Sequence, residues 1–273
     1  VEAVRQLRWD LGPNNSAVIH LTLIPYLKAA GELKTKPTQH SVKIMSEQGV
    51  QPDILVCRAD RYIPKDIRRK LAQFCNVNIN SVIESIDAES IYDVPLLMQE
   101  EELDLRVIDK LKLNESKSPV LDKWNVFLKN LKNPSQTVKI GLVGKYVQLQ
   151  DSYKSIVEAF IHSGAHNNCK VDLKWILSDD LDNENIAKTV KDLDGVLVAP
   201  GFGERGVEGK IEVIRHLREN EIPFMGICLG MQCAAVEFAR NVLGLKDAAS
   251  TEMDAKTSNP VIDIMEEQKE ITH

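Results

Sequence analysis

The C-terminal half of this sequence predicts a doubly wound α/β fold built on a parallel sheet. Two observations carry that expectation. From Val138 onward, short apolar runs alternate with stretches whose apolar residues recur at helical spacing. The runs are also almost continuously apolar, as strands covered by helices on both faces must be.

The elements follow in order. Val138–Val143 reads as a strand ending at Gly144. Tyr153, Ile156, Val157, Phe160 and Ile161 fall on one helical face, and Gly164 suits a C-terminal stop. Val171, Leu173 and Trp175 alternate as a strand. Ile186–Leu193 predicts a helix and Gly195–Ala199 an apolar strand. Gly209–Asn220 predicts a helix, Pro223–Ile227 a strand and Leu229–Val242 a helix.

The N-terminal part carries apolar segments at Val18–Leu23 and Asp53–Cys57, then a helix-like stretch at Pro64–Cys75. From Gln99 to about Ser118 the composition turns acidic and polar, with Glu100-Glu101-Glu102 and then Asn114-Glu115-Ser116-Lys117-Ser118. Trp124, Phe127, Leu128 and Leu131 then recur at helical spacing, and Asn133-Pro134-Ser135 closes the stretch. This divides the chain into residues 1–98, a linker at 99–137 containing one amphipathic helix, and residues 138–273.

Composition excludes several classes. In 273 residues, 43% are hydrophobic and 27% charged, a globular balance rather than a disordered or fibrous one. Forty acids against 34 Lys and Arg give a net charge of -6, so nothing global draws the chain to nucleic acid or an anionic membrane. No apolar run approaches the ~18–20 residues that span a bilayer. Val1-Glu2-Ala3-Val4-Arg5 is not a signal peptide and lacks an initiator Met, which suggests a processed product or a piece of something longer. Five scattered cysteines without a C-x-x-C pair argue against zinc or a disulfide framework and for the reducing cytoplasm.

Two glycine motifs follow predicted strands. Gly201-Phe202-Gly203-Glu204-Arg205-Gly206 fits the dinucleotide pattern G-x-G-x-x-G, with Glu219 and Glu221 further on. That fingerprint belongs to the first βα turn of its domain, whereas this loop follows the third strand, and a merely flexible glycine turn is the plainer alternative. Gly226-Ile227-Cys228-Leu229-Gly230 is G-x-C-x-G at a strand-to-helix junction, the pattern of a nucleophile elbow. A thiol there meets free N–H groups and the positive end of a helix, both favouring thiolate. The Leu229 N–H points where an oxyanion forms. A buried Cys between two packing glycines is the bland reading, and Cys233 on the following helix looks like core.

Gly201 can offer a second N–H to that oxyanion, while Gln232 and the Glu252 of Ser250-Thr251-Glu252 could hold the two ends of an amino acid. Here the sequence resembles class I glutamine amidotransferases, in which a Cys attacks the side-chain amide of glutamine and releases ammonia. The stretches Gly201–Gly209, Gly226–Gln232 and Ser250–Glu252 are more specifically similar to the glutaminase domain of the CTP synthase family. Gly31-Glu32-Leu33-Lys34-Thr35-Lys36-Pro37-Thr38-Gln39-His40-Ser41 resembles that family's uridine-nucleotide loop. Gln51–Leu55 with Arg58, Asp60-Arg61 and Lys70 resembles its continuation, and Gly141–Tyr146 its first glutaminase strand. In one respect the chain departs: many members have Pro-Gly-Gly-Phe-Gly where this one has Ala199-Pro200-Gly201-Phe202-Gly203.

The resemblance implies an N-terminal part that is the tail of an α/β P-loop-type synthetase domain, followed by the first half of an amidotransferase domain. It implies a ligase of pyrimidine biosynthesis: ATP phosphorylates O4 of UTP, and ammonia from glutamine displaces the phosphate to give CTP. Cys228 is then the nucleophile, with Gly201, Leu229, Gly230, Met231, Gln232 and Glu252 on the oxyanion and glutamine. Lys34, Thr35, Lys36, Pro37, Thr38, Gln39 and Lys70 contact UTP or inhibitory CTP, and Ile86, Asp87 and Ala88 lie near ATP. The Lys34/Lys36 pair also makes sense unaided, as a local anion site in an acidic chain or as a solvated pair.

Family membership further implies Mg²⁺ with ligands outside this chain, GTP as an allosteric activator, and a homotetramer. No G-x-x-x-x-G-K-[ST] is present; Gly144-Lys145 is followed by Tyr146 where Ser or Thr should stand. None of the six histidines forms the family's H-x-E partner pair. The sequence therefore looks like an internal segment, inactive alone. Two rival classes remain open: another elbow-Cys α/β hydrolase, and a non-catalytic nucleotide-binding or assembly module.

Overall fold

The computed structural model describes residues 1–113, 119–203 and 205–265. The chain divides into two compact units, Val1–Val120 and Leu121–His273.

The first unit opens with α1 (Glu2–Leu11), an exposed helix. Arg8 ties it down by donating to the Gln51 carbonyl at 2.7 Å and to Asp53. Then come β1 (Ile19–Leu23), the two short strands β2 (Tyr26–Leu27) and β3 (Glu32–Leu33), and α2 (Lys36–Glu47). After these come β4 (Ile54–Ala59), α3 (Lys65–Cys75), β5 (Val82–Ile86), α4 (Val94–Glu100) and α5 (Leu103–Leu111). β1, β4 and β5 form a parallel sheet with β4 central, while β2 and β3 pair antiparallel. Every β4 residue except Arg58 is buried, which explains the unbroken apolar run of its sequence. α3 starts after Pro64 and stops at Asn76, whose φ of 54° is left-handed.

The second unit starts with α6 (Asp122–Lys132), β6 (Gln136–Gly144), α7 (Lys154–His166) and β7 (Cys169–Leu177). It continues with α8 (Ile186–Val190), β8 (Gly195–Val198), α9 (Val207–Glu219), β9 (Phe224–Gly226) and α10 (Leu229–Asn241). β10 (Ala249–Ser250) and β11 (Pro260–Ile262) close it as a small parallel pair. The main sheet is parallel with order β7-β6-β8-β9, so the chain winds outward from β6 first one way and then the other. That reversal puts the loops after β6 and β8 at a topological switch point, where open α/β sheets bind ligands.

Three sequence expectations are corrected. Residues 99–137 hold more than one helix: α5 follows α4, and Leu103 and Val107 pack against Ile54, Val56 and Ile83. The acidic composition hid that face, because Glu101 is half-buried and accepts two hydrogen bonds from Arg68, at 2.6 and 2.9 Å. Gly164 does not stop α7, which runs on to His166; the glycine is required because a Cβ there would stand 2.7 Å from the Cys169 carbonyl oxygen. The helix from Ile186 ends at Val190 rather than Leu193. Of the residues singled out from sequence, Glu204, the 114–118 stretch and His273 lie outside the described residues.

Candidate active site

Cys228 sits between β9 and the first turn of α10, exposed, with φ 50° and ψ −110°. That backbone conformation is strained for an L-residue and recurs where a nucleophile is held on a sharp turn. The two flanking glycines are dictated by contact. A Cβ on Gly226 would stand 2.5 Å from the Gly230 carbonyl group, and one on Gly230 would stand 2.1 Å from the Val198 carbonyl oxygen. Both separations are impossible, so strand, turn and helix close up only with glycine at these positions.

Three of the other thiols, Cys57, Cys75 and Cys233, differ in kind. Burial pushes Cys57 up to about 12 and Cys233 up to about 11, and raises Cys75 as well. A protonated, buried thiol is a poor nucleophile. The structure therefore separates an exposed Cys at a helix N-terminus from cysteines that serve as core.

Leu229 is buried and its side chain packs beside Gly201; a Cβ on Gly201 would lie 3.5 Å from Leu229 Cδ2. The loop after β8 thus lies against the first turn of α10. Met231 is exposed, and Gln232 carries a buried side-chain oxygen, Oε1, without a hydrogen-bond partner. Glu252, exposed just beyond β10, supports the Lys145 ammonium through space.

Two lysines missed from sequence underlie this site. Lys145 follows β6 and is 4% exposed; its Nζ donates to the carbonyls of Phe202, at 2.8 Å, and Gly203. Lys210, on α9, is fully buried and donates to the Ala199 carbonyl at 2.6 Å. Burial lowers both, Lys210 to about 8. Lys210 could have been found from sequence, since it falls within the apolar stripe Val207, Ile211, Ile214 and Leu217. In the sequence, Lys145 reads as the lysine of an incomplete phosphate loop and as part of the Gly141–Tyr146 resemblance, and neither reading points to a buried role.

The residues of the Gly31–Ser41 stretch gather at the C-terminal edge of the first unit's sheet. Lys34 pairs with Glu32, whose carboxyl Lys34 and then Lys70 hold below the ordinary range, so α3 brings Lys70 towards the same loop. Lys36 and Pro37 are exposed in the first turn of α2. Thr38 is wholly buried, accepting from Thr22 at 2.9 Å and donating to the Leu23 carbonyl. Thr35 is also buried and accepts from Gln39 at 3.0 Å. Their hydroxyls and the Gln39 amide hold the loop, leaving lysines and backbone facing solvent. Ile86 ends β5, the Asp87 carboxylate pairs with Arg58 at 2.7 Å, and Ala88 is half-buried. Leu23, Pro25, Tyr26, Arg58, Asp60 and Asp87 line a cleft along this edge. Among the described residues no three His, Cys, Asp or Glu side chains come together as a metal site. No helix is long and apolar enough to cross a membrane.

Comparison with known proteins agrees with both halves. The family described as CTP synthase N-terminus matches residues 1–113, and glutamine amidotransferase class-I matches residues 148–272. The chain is 65% identical over 272 residues to CTP synthase of Cytophaga hutchinsonii, covering 100% of this chain and 50% of that protein. Against CTP synthase of Christiangramia forsetii it is 61% identical over 273 residues, with the same 100% and 50% coverage. For the enzyme of Clostridium acetobutylicum the identity is 53% over 271 residues, covering 99% of this chain and 50% of that one. The chain thus spans about half the length of the curated relatives it matches. A solved Trypanosoma brucei CTPS glutaminase domain with bound acivicin shares 37% identity, with 47% of this chain and 50% of that one covered and a TM-score of 0.45.

Proposed function

From the chain's membership of the CTP synthase family, we propose that its second unit carries the nucleophile of a glutaminase and its first unit part of the nucleotide site that uses the ammonia. The Cys228 elbow carries this reading: a strained, exposed thiol at a helix N-terminus, held by two glycines that no other residue can replace.

Cys228 Sγ attacks the side-chain amide carbon of glutamine. The oxygen becomes an oxyanion facing the N–H groups of Leu229 and Gly201, with Gly230 and Met231 shaping the turn beneath it. The amide nitrogen leaves as ammonia, and water cleaves the thioester to give glutamate. The orphaned Gln232 Oε1 needs a donor, and the substrate's α-ammonium supplies one. Glu252 offers a second partner, an anionic one.

In the first unit, Lys34, Lys36 and Lys70 take the triphosphate of UTP or of inhibitory CTP, with the first turn of α2 adding backbone N–H groups. Thr35, Pro37, Thr38 and Gln39 shape that turn, and Ile86, Asp87 and Ala88 border ATP. ATP activates O4 of UTP and ammonia displaces the phosphate. By the same family reading, Mg²⁺ takes its ligands from outside this chain. GTP activation, a homotetramer and a cytoplasmic setting belong to the same family reading.

Competitive alkylation with mass-spectrometric mapping tests the elbow. Cys228 labels first in folded protein, and a glutamine-derived thioester is trapped on it. Faster labelling of Cys57 or Cys233 would remove the basis of the proposal.

A further inference from the structure

The loop between β8 and α9 has little to hold it in shape. Ala199 is fixed, donating from its N–H to the Val143 carbonyl at 2.8 Å and accepting from Lys210 at 2.6 Å. Beyond it, residues 200–203 make no backbone–backbone hydrogen bond among the described residues, and Pro200 has no N–H to offer. Phe202 is 79% exposed, and a Cβ on Gly203 would touch nothing within 4 Å. No ladder fixes this segment, and within it only Gly201 is buried.

What does reach it is Lys145. Its Nζ donates to two consecutive carbonyls, Phe202 and Gly203. Its stem passes under Gly201, where a Cβ would lie 3.3 Å from Lys145 Cδ and 3.6 Å from Cε. The lysine is itself anchored: its N–H donates to Tyr153 Oη at 3.1 Å and its carbonyl accepts from Arg205 at 3.3 Å. Among the described residues no carboxylate pairs with the ammonium, so its hydrogen-bonding capacity goes to the loop. A charged donor on a carbonyl is about twice as strong as a neutral one.

We propose that Lys145 is a positioning residue for the glutaminase site, its buried ammonium pinning the 200–203 loop so that the Gly201 N–H is held beside Leu229 as the second oxyanion donor. This rests on the glutaminase reading above. Lys210 assists less, because Ala199 is already bonded into the sheet.

The test uses the full-length encoded protein, with Lys145→Met and Lys145→Gln. Three readouts are compared: glutamine hydrolysis, inactivation by 6-diazo-5-oxo-L-norleucine, and alkylation of Cys228 by iodoacetamide. The diazoketone carries glutamine's amino-acid end, and Cys228 Sγ bonds to its terminal carbon as N₂ leaves. Displacing one oxyanion donor predicts a loss of about 10²-fold in kcat and in maximal inactivation rate. KM and the iodoacetamide rate stay within about threefold, since binding and thiol access are untouched. Lys145→Gln, which keeps a donor without the charge, falls between wild type and Lys145→Met.

Unchanged kcat in both variants overturns the proposal, as does a parallel fall in all three rates. If Lys145→Met does not fold, Lys145→Gln decides alone, by the same split between kcat and KM. A wild-type protein that neither releases ammonia from glutamine nor takes the diazoketone on Cys228 fails at the glutaminase reading, and the positioning role falls with it. Wild-type labelling with equal labelling in the variants removes only the positioning role.

Discussion

At the residue scale, Cys228 shows what a functional conformation costs. Its φ of 50° with ψ −110° belongs to a region that glycine enters freely and other residues do not. Cys228→Gly is therefore more stable than Cys228→Ala by about 1 kcal/mol or more, measured by urea unfolding. Equal stability would mean that the elbow is unstrained. Lys210 shows the cost of a buried charge. Its folded value of about 8 lies below the ordinary 10.5, so below pH 8 both folded and unfolded chains hold the proton. Between pH 8 and 10.5 the unfolded chain keeps a proton that the folded one has shed, and stability rises with pH. The stability difference between wild type and Lys210→Met climbs across that window, by about 3 kcal/mol at most. The raised Cys57 thiol acts oppositely above pH 9, but it does not interact with Lys210 and cancels in the difference, whereas Cys233, which does, adds its own change. A flat difference would show that the amine finds better solvation than burial implies.

At the element scale, the first turn of α2 joins Lys36 and Pro37, exposed, to Thr38, buried on β1. Pro37 suits that turn because its missing N–H and fixed φ cost a helix nothing there. Thr38 anchors the turn while Lys36 faces outward, so a phosphate can be met without moving the helix. In the full-length enzyme, Lys36→Ala raises the KM for UTP or weakens CTP inhibition tenfold or more. That corresponds to losing a charge-assisted contact of about 1.5–3 kcal/mol. Glutamine hydrolysis at Cys228 persists in the same variant. Unchanged UTP and CTP dependence, in steady-state assays, would take Lys36 out of the site.

At the scale of the whole molecule, the 273-residue chain holds the proposed nucleophile and oxyanion donors but no G-x-x-x-x-G-K-[ST] loop. Its described residues contain no acidic cluster for a metal. Purified as this sequence alone and given ATP, UTP, Mg²⁺ and glutamine, it makes no CTP, and ammonia does not substitute for glutamine. Glutamine hydrolysis is very slow, because oxyanion binding without a positioned base leaves only about 10³–10⁴-fold over water. CTP formation near the rate of an intact synthase, measured by nucleotide chromatography, would mean that the essential residues lie elsewhere.

The sequence by itself determined the parallel sheet of the second unit and the elbow at Cys228. Both are local: strand and helix periods are written in consecutive residues, and G-x-C-x-G encodes one turn. The Lys34/Lys36 pair is equally local. Only the tertiary structure decided that Glu101 is a half-buried partner of Arg68 rather than a linker charge, since 33 residues separate the two. The same holds for Lys70, which α3 carries towards Glu32, and for Gly164, whose role depends on the carbonyl of Cys169. Lys145 is the clearest case. Beside Gly144 it resembles an incomplete phosphate loop, and the Phe202 carbonyl it holds lies 57 positions further along the chain. A lysine's sequence neighbours reveal its charge, but which carbonyls can offset its burial depends on how β6 and β8 are paired in the sheet.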